Sequence, residues 1–223
     1  MTAPPGRARR IRLYVGDRAA MAGALSHDLR TPLARIRFKL EAEAPDKASI
    51  LADVAQMEQM ISALLVFIRG AGAGGRRERI DLLSVIECAV DDAAHQGGKV
   101  HIENATPLLV DADPLALRRL FANLIDNALK YGHSAGARVF VHAGEAVVEI
   151  QDNGPGLPAP ELERVFTPFY RTDVARNLDA GGVGLGLAVA RSIARAHGGD
   201  LVLRSGTGGL TAVTRLPLAH ATA

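Results

Sequence analysis

The sequence predicts a two-part α+β protein: a helical hairpin that dimerises into a four-helix bundle, followed by an α/β two-layer sandwich. Three observations lead there. Apolar residues recur at helical spacing through the first seventy positions. A run built only of glycine and alanine, Gly70–Gly75, then interrupts the pattern as a flexible linker. Beyond it, short alternating apolar runs are interleaved with helical ones, the signature of helices laid on a mixed sheet. At 223 residues the chain has room for two small domains, and we divide it at 1–75 and 76–223.

The first helix begins near Asp17. Leu25, Leu29, Leu33, Ile36 and Leu40 fall on one face, and Pro32 predicts a local bend because it lacks an N–H and crowds the carbonyl four residues back. Glu43–Asp46 reads as a turn. A second stripe, Ile50, Val54, Met57, Ile61, Leu64, Leu65 and Ile68, returns antiparallel to the first. Two helices cannot enclose a core, so their apolar faces predict a second copy as partner. In the second part, 80–94 reads as helix, and 100–103 and 108–110 as short strands. Asp113-Pro114 opens a helix, with Asp as N-cap and Pro at its first position, running to about Tyr131. An antiparallel pair at 138–142 and 146–151 turns around Gly144. A Gly- and Pro-rich loop leads to a helix at 185–197, and 201–204 with 211–216 closes the domain as a hairpin across 206–209.

Composition removes several function classes. Charged residues make up 22% and apolar residues 48%, so wholesale disorder is excluded. Cys88, the single cysteine, cannot form an internal disulfide and points to a reducing compartment. The longest apolar run, Ala63–Ile68, is far short of the roughly 20 residues that span a bilayer. Residues 1–75 carry a net +4 and residues 76–223 a net −2. That balance gives no argument for nucleic acid, while the basic first part suits an acidic protein partner or a membrane surface, or forms a solvated helix face.

Three motifs carry chemistry. Asn123, Asn127, Lys130 and Tyr131 share one helical face; amide oxygens are hard ligands suited to Mg²⁺, and a lysine beside them can meet phosphate. Asp152-Asn153-Gly154-Pro155-Gly156 follows a strand, where a carboxylate can accept from an exocyclic amine such as adenine's and glycines permit close backbone approach; the same pentapeptide also reads as a plain turn. Gly181-Gly182-Val183-Gly184-Leu185-Gly186 runs into a helix and offers backbone N–H groups to phosphates. It is neither a Walker loop nor a dinucleotide fingerprint, since the residues and the strand that those need are missing.

In this order, about 25 residues apart, the three motifs resemble the ATP-binding domain shared by sensor histidine kinases, the Hsp90 chaperones, gyrase and MutL. Val165-Phe-Thr-Pro-Phe-Tyr-Arg171 resembles the Phe-rich box of the kinases, and Ser26-His27-Asp28-Leu29-Arg30-Thr31-Pro32-Leu33 their phospho-acceptor box. The likeness extends from Asp17 to Pro217 and is nearest the osmosensor (EnvZ-like) subgroup. It implies ATP and Mg²⁺ as cofactors, His27 as nucleophile and Asp28 as general base. It implies further that Asn127 ligates the metal with Asn123 assisting, that Lys130 and Tyr131 contact phosphates, and that Arg171 reaches the γ-phosphate. By the same resemblance Asp152 holds the adenine amine with Thr211 beside it, and Gly154, Gly156, Gly182, Gly184, Leu185 and Gly186 frame the nucleotide under a mobile lid at 172–180. Thr31, one helical turn after His27, is implied in dephosphorylating the regulator; it also reads as a cap before Pro32. The implied partners are a second copy and a response regulator's receiver domain. Membrane contact is implied only through a sensor region absent from this chain, making the chain the cytoplasmic portion of an inner-membrane sensor. A nucleotide-binding scaffold without catalysis remains the alternative, and a chaperone- or topoisomerase-like ATPase would have no use for the His-Asp box.

Overall fold

A computed structural model describes residues 29–30, 32–41, 46–69, 76–173, 175 and 184–219. His27, Asp28, Thr31 and Gly182 lie outside these residues, as do the linker at 70–75, most of the 43–46 turn and most of the 172–180 segment. Among the described residues, those up to Ile68 form one compact unit and those from Arg69 onward another.

The first unit consists of two helices, α1 (32–40) and α2 (Lys47–Arg69). Asp46 starts α2 by accepting from the N–H groups of Ala48 and Ser49 at 3.1 and 3.2 Å, satisfying donors that a helix start leaves open. Asp53 on α2 is buried, and two cations of α1 neutralise it, Arg35 at 2.8 Å and Lys39 at 2.7 Å. Lys39 also donates to the hydroxyl and carbonyl of Ser49, so later residues of α1 meet earlier ones of α2 and the helices run antiparallel. The Lys39 hydrogen bond lowers the Asp53 pKa against the opposing cost of burial, with Arg35 adding to the effect. Leu33, Leu40, Leu51, Val54 and Ile61 remain exposed.

Among the described residues the second unit has seven strands, five of them in a main sheet on which helices pack. Strand β1 (Glu78–Asp81) leads into α3 (Leu82–His95); β2 (Lys99–Ala105) and β3 (Leu109–Ala112) follow, then α4 (Pro114–Gly132). The strands β4 (Ser134–His142) and β5 (Glu145–Asp152), the single turn α5 (Glu161–Arg164), α6 (Gly186–Ala196), β6 (Asp200–Gly206) and β7 (Gly209–Pro217) complete it. The main sheet has the order β2-β4-β5-β7-β6, parallel only between β2 and β4. Helix α4 lies between α3 and α6 and against β5. Its Leu117, Leu120, Phe121 and Ile125 form the core with Leu82 and Ile86 of α3, Ile193 of α6, and Ile150, Leu201 and Leu216 from the sheet.

The 80–94 helix is corrected at its start. Ile80 belongs to β1, which pairs antiparallel with β3 in a separate two-stranded sheet, and the helix begins at Leu82. Asp81 sets that boundary: its carboxylate accepts from Leu83 N–H and from Leu108 N–H, joining the helix start to the strand region 27 residues away. The expected cap holds at α4, where Asp113 accepts from Leu115 and Ala116 with Pro114 at the first position. His197, just beyond α6, bridges to that cap. Its Nε2 accepts from the Asp113 N–H at 3.1 Å and its Nδ1 faces the Ile193 carbonyl at 2.8 Å, so the ring proton sits on Nδ1.

Candidate active site

Along α4, the stripe beside the core carries polar residues. Asn123, Asn127, Lys130 and Tyr131 are all half-buried, next to fully packed Leu124 and Ala128. They stay there because the apolar stripe holds the helix in register and leaves its flank on the rim. The first residue of α6 abuts this flank: a methyl group placed on Gly186 would lie 3.4 Å from Asn123 Oδ1. The helix starting at Gly186, preceded by buried Leu185, is thereby set against Asn123.

Lys130 and Arg171 are near enough for the charge of one to act on the other, and Arg171 acts on Tyr131 as well. Burial lowers the Lys130 pKa and the nearby charge of Arg171 lowers it further; burial raises the Tyr131 phenol, with Arg171 opposing. The Lys130 ammonium sits 5.1 Å from the Tyr131 ring centroid. Arg171 is itself anchored by donating to the Ala175 carbonyl. The backbone before it takes an uncommon form: Phe169 has φ 64° and donates to the Gly184 carbonyl at 3.0 Å. Gly184, at φ 73°, tolerates no side chain, because a Cβ there would lie 2.7 Å from the Tyr170 carbonyl oxygen.

Asp152 ends β5 and is only 5% exposed. Its Oδ1 accepts from the N–H of Gly154 at 2.9 Å and of Leu210 at 3.0 Å; neither bond uses Oδ2. The surroundings are backbone packed on backbone. A Cβ on Gly209 (φ 116°) would fall 2.1 Å from the Asp152 carbonyl oxygen, and one on Gly132 would fall 2.5 Å from Asp152 Cβ. Gly156 lies in the loop whose Leu157 N–H donates to Ser205 Oγ on β6. Thr211 pairs with Gln151, one register step from Asp152, so strand alternation puts it on the face of Gln151.

The structure therefore gathers Asn123 with Gly186, Lys130 and Tyr131 with Arg171, and Asp152 with Gly154. His27, Asp28, Thr31 and Gly182 are outside the described residues. Sequence reasoning missed Gly132, Ser205, Gly209 and Leu210, which hold Asp152 and its loop. The Gly208-Gly209 pair was readable as a hairpin turn, whereas nothing local signalled that its backbone clasps a carboxylate.

The donor set fits a magnesium nucleotide. Amide oxygens on a half-buried flank are hard ligands, and two cations already crowded together are relieved by a polyanion. A buried carboxylate with an oxygen outside the backbone bonds can accept from an amine. Among the described residues there is no group of three or more His, Cys, Asp or Glu that could hold a metal ion. No helix among them is long and apolar enough to cross a membrane.

Residues 112–220 match the model of the histidine kinase-, DNA gyrase B- and HSP90-like ATPase family. The chain is 32% identical over 211 residues to sensor histidine kinase GtrS of Pseudomonas aeruginosa, covering 93% of this chain and 44% of that protein. It spans less than half the length of the curated relatives it matches. The solved mycobacterial sensor histidine kinase MprB superimposes with a TM-score of 0.56 at 29% identity, over 64% of this chain and 97% of that one. Histidine kinase ThkA, solved in complex with response regulator protein TrrA, superimposes with a TM-score of 0.73 at 20% identity, over 96% of this chain and 65% of that one. That last likeness is one of fold.

Proposed function

We propose that the chain is a sensor histidine kinase core, its residues 112–220 matching the ATPase family model, and that it moves the γ-phosphoryl group of ATP to His27 and on to an aspartate of a response regulator. One observation carries the reading: buried Asp152, with Oδ2 outside its backbone bonds, occurs in the same domain as the neighbouring cations Lys130 and Arg171. A carboxylate acceptor and paired cations suit an adenine amine and a polyphosphate together.

In this mechanism the neutral His27 imidazole presents one nitrogen lone pair in line with the γ-phosphorus. The N–P bond forms as the bond to the bridging oxygen breaks, and ADP leaves with that oxygen. Asp28 accepts the N–H of the other ring nitrogen and raises the ring's nucleophilicity. Asn127, with Asn123 assisting, would hold a Mg²⁺ ion, which would supply positive charge against the phosphates. Lys130, Tyr131 and Arg171 orient the phosphates. Thr31 orients a water that attacks the regulator's phosphoaspartate, giving a phosphatase activity as well. We assign residues 1–75 to dimerisation and phosphotransfer and 76–223 to nucleotide binding; the exposed Leu33, Leu40, Leu51, Val54 and Ile61 support a homodimer. The osmosensor-like assignment and a cytoplasmic position beneath an inner-membrane sensor rest on sequence resemblance.

The test is incubation with γ-labelled ATP and Mg²⁺. An acid-labile, alkali-stable label is expected on the chain, absent from His27→Ala, whose nucleotide binding stays within a few fold. Thr31→Ala should keep the label and slow dephosphorylation of the regulator. Label persisting in His27→Ala sinks the assignment of the nucleophile.

A further inference from the structure

Arg191 on α6 touches neither the asparagine flank nor Asp152, yet its guanidinium is used on every side. Its Nε and Nη2 meet Asp200 Oδ1 and Oδ2 at 3.0 and 3.4 Å, and its Nη1 meets Glu163 Oε1 at 2.5 Å. Its Cζ stands 4.3 Å from the Phe166 ring centroid. The side chain is only 11% exposed, so these contacts are poorly screened. A second cation, Arg195, meets the same Asp200 at 2.9 Å.

What Arg191 holds is the near end of a stitched segment. Phe166 is buried. Beyond it the Thr167 N–H donates to the Arg164 carbonyl and the Tyr170 N–H to the Thr167 carbonyl, at 2.9 and 3.1 Å. The Tyr170 hydroxyl donates to Glu161 at 2.6 Å, and Arg164 lies over the Tyr170 ring at 4.6 Å while pairing with Glu161. Phe169 is tied to Gly184 just before α6. Residues 161–171 are thus a braced bracket, with one end stacked on Arg191 and the other presenting Arg171 near Lys130. Such a bracket passes a shift of Phe166 on to Arg171.

We propose that Arg191 is a positioning residue that fixes the Arg171 guanidinium and thereby aligns the terminal phosphate for transfer. The proposal rests on the nucleotide-site reading above. Asp200 and Glu163 aim the fork of Arg191, and its flat face carries the ring, a combination lysine reproduces only in part. A misplacement of about 1 Å at a reacting group costs on the order of 100-fold in rate, so a loosened bracket should act on turnover more than on binding.

Five chains decide this: wild type, Arg191→Met, Arg191→Lys, Arg171→Ala and the Arg191→Met, Arg171→Ala double variant. Arg191→Met is expected to lower kcat for autophosphorylation by about 10- to 100-fold with KM for ATP within about threefold. In the Arg171→Ala background the same change should cost less than about twofold, because the group it positions is gone. Arg191→Lys should recover part of the loss. An equal cost in both backgrounds, or an unchanged kcat, overturns the proposal. Should Arg191→Met not fold, Glu163→Gln, on an exposed carboxylate, removes one arm of the fork and is read in the same way. Hydrogen exchange without nucleotide separates this idea from the kinase reading. Faster exchange at Phe169 and Tyr170 in Arg191→Met, with α4 unchanged, is expected even if the chain turned over no ATP. Unaltered exchange there overturns the proposal independently of activity.

Discussion

The Asp152 corner and the Arg171 corner of the site are built from different materials. Around Asp152 nearly every contact is backbone: two N–H groups on one oxygen, and glycines at 132 and 209 where any side chain would collide with the strand end. In the segment before Arg171, backbone bonds are joined by side-chain contacts, with the guanidinium groups of Arg164 and Arg191 on aromatic faces and paired with carboxylates. A backbone cradle has one geometry, while a side-chain bracket has rotamers and can take up another. Under the proposed function, the difference assigns the base to a fixed mould and the phosphates to parts able to shift during the reaction.

The strongest way to break this contrast is at the mould. Gly209→Ala puts a methyl group 2.1 Å from the Asp152 carbonyl in a backbone conformation alanine avoids. We expect a loss of about 2–4 kcal/mol of domain stability by denaturant unfolding. A change below 0.5 kcal/mol, on the order of ordinary surface substitutions, would show that the corner adapts after all. Next in size is Asp152→Asn, which keeps the shape and replaces an acceptor with a donor. ATP affinity by calorimetry should fall roughly 10- to 150-fold, the worth of a charged hydrogen bond of about 1.5–3 kcal/mol; unchanged affinity moves the adenine elsewhere.

The smallest effect tests the bracket through acid. Burial works against the Asp200 charge, but hydrogen bonds from Arg191, Arg195 and the Leu201 N–H, with the charge of Arg191, hold its pKa at about 2. An unfolded aspartate titrates near 3.9 (approximately). The stabilisation is therefore complete above about pH 4 and disappears as pH falls through about 2. Because the carboxyl is 42% exposed, solvent screening leaves less than about 1 kcal/mol. Asp200→Asn should flatten that acid limb of the stability curve; an identical limb in the variant assigns it to other carboxylates.

The sequence was most readable where a structure depends on its neighbours along the chain. Asp113-Pro114 announced the start of α4, and the glycines at 144 and 206–209 announced two hairpins, because caps and tight turns use residues a few positions apart. Strand β1 was unreadable: four residues with one apolar member, Ile80, whose partner Val110 lies 30 positions on. The turn α5 is too short for any periodicity. The site divides in the same way. Asn123, Asn127 and Lys130 share a helix face and could be grouped from spacing alone. Gly132 and Leu210 serve Asp152 only because the sheet brings β7 and the end of α4 beside β5, a proximity no local pattern encodes.

The bridge made by His197 has a practical consequence for magnetic resonance. Both its ring nitrogens are engaged, one by the amide that begins α4 and one by a carbonyl of α6. Among the seven histidines of the chain, a ring held as a single tautomer gives a nitrogen pair with widely separated chemical shifts. That pair is a built-in gauge of whether α4 and α6 are still joined. Collapse of the two signals toward a common position would time the parting of the helices without any introduced probe.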